Sequence, residues 1–132
     1  LPSFRGPCPV FWALAGGCGE AGVSVHAITN ADIDAGPVVR QERRALDRRQ
    51  SVAEITSALF VAGARLLPGV VREVATGSLR PVPQQGSAGD YHGFPAPGDV
   101  ARAARQGIRL CRASFVLRLL AAACGLGGAR AS

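Results

Sequence analysis

Ser51-Val52-Ala53-Glu54 is the segment that most narrows the folds open to this chain. A serine hydroxyl at a helix N-cap accepts from the backbone N–H three residues on, and a glutamate at that position reaches back to the N–H of the cap. Behind this box Val52, Ile55, Leu59, Ala62, Leu66, Val70 and Val74 recur at spacings of three and four, which draws one apolar stripe along a long helix. Pro68 is expected to kink that helix. Gly77 stands where a left-handed C-cap would end it.

The segment LPSFRGPCP, residues 1–9, holds three prolines and a glycine and reads as a loop. Pro9 to Ala15 can then form a short helix, with proline where the missing N–H matters least and Gly16-Gly17 as its stop. Gly22 to Thr29 alternates, with Val23, Val25 and Ala27 on one face and Ser24, His26 and Ile28 on the other. Val38 to Arg44 reads as a second strand. Asn30 to Pro37 between them is rich in turn formers, so the two strands are expected to pair antiparallel around an acidic loop. Residues 78–97 are expected to be extended or loop, and Pro97 to Gln106 a short helix stopped by Gly107. Ala113 to Ala123 is apolar but interrupted by Arg118, and falls short of the roughly 18 residues needed to span a bilayer. It is expected to be a docking helix or a tail, and no membrane partner is expected. The fold class is α/β.

At 132 residues, 48% hydrophobic and 18% charged, the composition is that of one globular domain or part of one. The chain begins at Leu1 and has no methionine, which leads to the expectation of a fragment or processed piece; no signal peptide is visible. All fifteen basic residues are arginine, and the net charge is +6. Such a surface favours anionic partners. Arg43, Arg44, Arg48 and Arg49 could grip phosphate, or form a solvated basic loop. Cys8, Cys18, Cys111 and Cys124 lack C-x-x-C spacing and only two histidines are present, so neither zinc nor a disulfide framework is expected. Free thiols in a reducing, cytoplasmic compartment are the expectation.

Chemistry concentrates in the acidic loop. Asp32 and Asp34 precede Ala35-Gly36, small residues that let a loop approach a ligand closely. A carboxylate there could orient an imidazole or relay a proton through water; an ordinary turn with exposed aspartates is the alternative. No third carboxylate is near enough to suggest a metal. His26 could be a base or a half-buried structural histidine, and Trp12 beside Phe11 reads as core. Gly16-Gly17-Cys18-Gly19 lacks the lysine and preceding strand of a phosphate-binding loop.

LPSFRGPCPVFWAL resembles the Leu-Pro-x-Tyr/Phe-Arg-Gly-x-x-Pro-x-x-Trp-Ala segment of the 10-formyltetrahydrofolate-dependent formyltransferases. GEAGVSVHAITNADIDAGPVVRQE is similar to their segment running from Gly-Val-Thr-x-His to Asp-Thr/Ala-Gly, in the right order and at the right distance. The helix with an internal proline also falls where that family has one. The resemblance covers residues 1–77, thins through Arg109, where DYHGFPAPGDV is similar to a stretch seen in some branches, and is absent from Cys111 onward.

The resemblance implies a partial formyltransferase fold: residues 1–110 as the C-terminal part of a catalytic domain, and 111–132 as a tail of unknown role. It implies a donor, 10-formyltetrahydrofolate, with no metal. Asp34 matches the aspartate that orients the catalytic imidazole and relays protons. Asn30, Ala31, Asp32 and Ile33 would line the pterin pocket. His26 matches the strand histidine of the family, not the catalytic one. The catalytic asparagine and histidine of the family lie ahead of the Leu-Pro pair. The expectation is therefore a chain inactive alone, with the N-terminal half of the domain as its missing partner. Methionyl-tRNA is the favoured acceptor, with an amino sugar or other small amine open. An inactive remnant and a basic nucleic-acid-binding module are the competing readings.

Overall fold

A computed structural model describes residues 1–29, 31–84 and 91–125. The chain order is α1 (Pro9–Ala15), β1 (Glu20–His26), β2 (Val38–Ala45), α2 (Val52–Ala75), α3 (Pro97–Arg105) and α4 (Ala113–Ala123). β1 and β2 pair antiparallel, Glu20 opposite Ala45 and Val25 opposite Arg40, with a register break between Val25 and His26. β1 thus starts two residues before the expected Gly22 and ends at His26, which still pairs with Val38 beyond the break and falls short of the expected Thr29; Ile28, expected on a strand face, is exposed. A mutual hydrogen-bond pair between Val38 and Val82 adds a short third segment beside β2.

The start of α2 is held as its sequence requires. The Ser51 N–H donates to Glu54 Oε2 at 2.9 Å, and the Glu54 N–H donates to Ser51 Oγ at 3.4 Å. Two further first-turn donors are met from far along the chain: the Val52 N–H by the Arg109 carbonyl at 2.9 Å, and the Ala53 N–H by the Leu110 carbonyl at 3.0 Å. Every backbone donor that a helix start leaves without an internal partner therefore has one. At the other end Gly77 adopts φ +66°, Ser78 N–H reaches the Glu73 carbonyl and Gly77 N–H the Val74 carbonyl. α1 and α3 end in the same pattern at Gly17 and Gly107, the three being Schellman caps with glycine in the left-handed position.

The main core joins three helices. Val10, Phe11 and Leu14 of α1 pack with Ile55 and Leu59 of α2 and with Ala103 and Ile108 at the end of α3. Further along α2, a Cβ placed on Gly63 would stand 2.7 Å from Val23 Cγ2, so the glycine lets the helix settle closely on β1. The buried stripe runs through Ala62 to Val70. Val74, expected on it, is left 60% exposed, and the last turn makes a polar contact instead, Glu73 pairing with Arg40. α2 continues through Pro68 as one helix. Its 24 residues are long and apolar enough to cross a membrane by composition, yet the buried stripe marks it as a core helix. Phe60, Leu67 and Val71 stay exposed on its other side.

Ser51 is fully buried, so Ser51→Ala is expected to cost about 1 kcal/mol in a denaturant melt. The Ser51 N–H and then its hydroxyl hold the Glu54 carboxyl below the usual carboxylate range, with Arg118 and Arg112 adding to this. A carboxyl lowered by folding stabilises fully above its unfolded value of about 4.3 and ceases to do so as pH falls through the folded value. Stability measured from neutral pH down to pH 2 is therefore expected to fall more steeply for the wild type than for Glu54→Gln.

Candidate active site

The loop from Ala27 to Pro37 is shaped by one close approach. Gly36 is buried, and a Cβ there would stand 1.7 Å from the Ala27 carbonyl oxygen. Only glycine lets the ends of the loop meet, and the Ala27 N–H then donates to the Pro37 carbonyl at 2.9 Å. Within the loop Asp34 adopts φ +55°, a left-handed conformation that aspartate accepts more readily than most residues. The Gln84 side-chain amide donates to the Asp34 and Gly36 carbonyls, both at 2.8 Å, and pins this turn from outside.

The Asp34 carboxylate has two neighbours. Its Oδ2 accepts from the Gly6 N–H at 2.8 Å, and its Oδ1 lies 3.5 Å from His26 Nε2. The other ring nitrogen, Nδ1, lies 3.2 Å from the Ala27 carbonyl. Both nitrogens face acceptors, so a neutral ring donates at one and a protonated ring at both. The two side chains are 21% and 32% exposed, ordered yet reachable by water. This carboxylate, half-sheltered and with one oxygen fixed, can orient an imidazole or pass a proton to and from water.

Residues 31–33 of the loop line an open groove of about 410 Å³ together with Arg5 and Tyr91; the loop residues are Ala31, Asp32 and Ile33. Three of the four residues expected to line a cofactor pocket meet there; the fourth, Asn30, lies outside the described residues. Asp34 flanks the groove through its neighbour Ile33 rather than lining it. Gly6, Arg5, Tyr91 and Gln84 were not anticipated as site residues. All but Gln84 fall within segments that carry the resemblance, but nothing local to them says which loop they touch.

Three arginines of the basic cluster have partners within the protein. Arg43 pairs with Glu20 and Arg44 with Glu42, each at 3.0 Å, and Arg48 donates to the Leu14 carbonyl at 3.1 Å. Surface pairs of this kind are individually weak, and the Arg43 and Arg44 side chains stay 64% and 48% exposed.

A formyl transferase family model matches residues 1–71, and the chain belongs to that family. Among curated relatives, the methionyl-tRNA formyltransferase of a Synechococcus strain is 33% identical over 91 residues, covering 69% of this chain and 28% of the relative. That of Roseiflexus castenholzii is 38% identical over 84 residues, covering 64% and 26%. The chain thus spans between a quarter and a third of the length of these relatives. Among solved structures, an N-formyltransferase from Helicobacter canadensis in complex with folinic acid and dTDP-3-aminofucose matches with a TM-score of 0.66 at 17% identity, over 71% of this chain and 35% of that one. HypX from Aquifex aeolicus in complex with tetrahydrofolic acid matches at 0.60 and 20%, over 74% and 17%. At these identities the likeness is one of fold.

Gly36→Ala is expected to cost about 3 kcal/mol, since its new methyl group meets a backbone oxygen. Gly63→Ala, which meets only the end of the Val23 side chain, is expected to cost less. Urea melts of the two variants compare them directly.

Proposed function

We propose that this chain supplies the carboxylate and one wall of the donor pocket of a site that transfers a formyl group from 10-formyltetrahydrofolate to an amine. The observation that carries this reading is the Asp34 carboxylate, fixed by the Gly6 N–H and facing His26, on the loop whose residues 31–33 line the groove. The groove suits a reduced pterin: Ile33 and Tyr91 offer exposed apolar faces, and the loop offers backbone donors and acceptors for the heterocycle edge. When bound, the folate supplies the formyl carbon that the amine attacks. With its Oδ2 held by Gly6 and its Oδ1 toward an imidazole or water, Asp34 would take up the proton the amine loses and return it to the folate nitrogen whose bond to the formyl carbon breaks. Residues 1–110 form the catalytic part in this reading. The Arg109 and Leu110 carbonyls belong to the packed structure through α2, whereas α4 buries no residue.

The favoured acceptor is methionyl-tRNA. The curated relatives carrying that name are 33–38% identical to this chain, whereas the sugar-linked neighbours share only its fold. The net charge of +6 suits a polyanionic acceptor. An amino sugar is the second acceptor to assay, because one neighbour was solved with dTDP-3-aminofucose.

Asp34→Asn in the full-length protein is expected to lower formyl transfer about a hundredfold or more while leaving the affinity for folinic acid within about twofold. Steady-state assays with methionyl-tRNA and with a dTDP-amino sugar, beside calorimetric titration of folinic acid, read both quantities. Full activity in Asp34→Asn would sink the proposal.

A further inference from the structure

The Arg5–Gly6 peptide, whose N–H holds Asp34, is itself held at its other end. It is a trans peptide, and its carbonyl, on Arg5, accepts from the His92 N–H at 2.9 Å while its N–H, on Gly6, donates to Asp34 Oδ2 at 2.8 Å. One rigid plane therefore lies between two hydrogen bonds that run head to tail, and each polarises the group for the other. The His92 backbone leaves that plane little room, since a Cβ on Gly6, which sits at φ +108°, would stand 2.1 Å from the His92 carbonyl oxygen. The His92 ring in turn packs against two aromatic rings: Trp12, stacked at 5.1 Å between centroids with the planes inclined by 28°, and Phe4, tilted at 5.6 Å. Trp12 Nε1 also donates to the Gly93 carbonyl at 3.0 Å, tying the segment to α1 and the core.

We propose that Tyr91–Gly93 is a strap that positions the Asp34 carboxylate through the Arg5–Gly6 peptide, with His92 as the positioning residue. The ring of His92 acts by stacking, so an aromatic replacement keeps its role. Trp12 anchors the strap, and Tyr91 brings it to the rim of the groove. The strap stands on geometry alone; its effect on rate rests on the formyl-transfer reading above.

The test compares His92→Ala, His92→Phe and Trp12→Phe. Amide hydrogen exchange followed by NMR on this chain reads the strap without any substrate. In His92→Ala the Gly6 amide is expected to exchange about tenfold faster, the Leu59 amide of α2 to keep its wild-type rate, and His92→Phe to restore Gly6. Trp12→Phe, which keeps a ring but loses the bond to Gly93, is expected to fall between. An unmoved Gly6 amide overturns the proposal, as does equal loss of protection at Gly6 and Leu59, or a His92→Phe variant that behaves as His92→Ala. In the full-length protein His92→Ala is expected to lower kcat about tenfold with KM for the folate unchanged. If Asp34→Asn lowers kcat and His92→Ala does not, the positioning role is overturned. If neither lowers it, the formyl-transfer reading fails and the exchange result still decides the strap.

Discussion

The loop that carries Asp34 closes because no side chain stands between Gly36 and the carbonyl of Ala27. There the Ala27 N–H reaches the Pro37 carbonyl, which brings the chain back beside β1. A loop held at its ends can still turn freely at its tip. Here Gln84 takes the Asp34 and Gly36 carbonyls, and Gly6 takes the carboxylate. The left-handed backbone at Asp34 is thus sustained by contacts on several sides, as such conformations must be.

Beneath the loop, the strand pair is small and could not be stable alone. It depends on α2, which lays Ile55, Leu59, Ala62 and Val70 inward and comes close where residue 63 is a glycine. α1 and α3 complete the packing around the first half of α2. The site therefore rests on a short sheet stiffened by a helix. On it the Asp34 carboxylate keeps one orientation, with one oxygen on the Gly6 N–H and the other toward His26.

What could be read from the residues in order was what depends on near neighbours. The Ser51–Glu54 box, the glycine stops at 17, 77 and 107, and the three-and-four spacing along α2 each express a few adjacent residues, and each stands in the fold. The stripe failed at Val74 because periodicity says which side of a helix is apolar, not how far its neighbour extends. The turn formers of the acidic loop were visible, and so was the family segment around Asp34. Its partners were not: Gly6 is 28 residues away, Gln84 is 50, and Trp12 meets Gly93 across 81. Backbone groups make most of these contacts, and a backbone N–H leaves no mark in residue type. His26 could be read as a base or as a half-buried structural residue, and it lies beside the carboxylate.

The late capping of α2 bears on how this chain is made. Two N–H groups at the start of the helix wait for the carbonyls of residues 109 and 110, which a ribosome adds nearly 60 residues later. At about 5–20 residues per second, several seconds of translation separate the helix from its lid of carbonyls. During that interval Ser51 and Glu54 alone secure the first turn. An apolar face meant for α3 stands open beside them. The first turn of α2 is therefore fully capped only once residues 109 and 110 are in place.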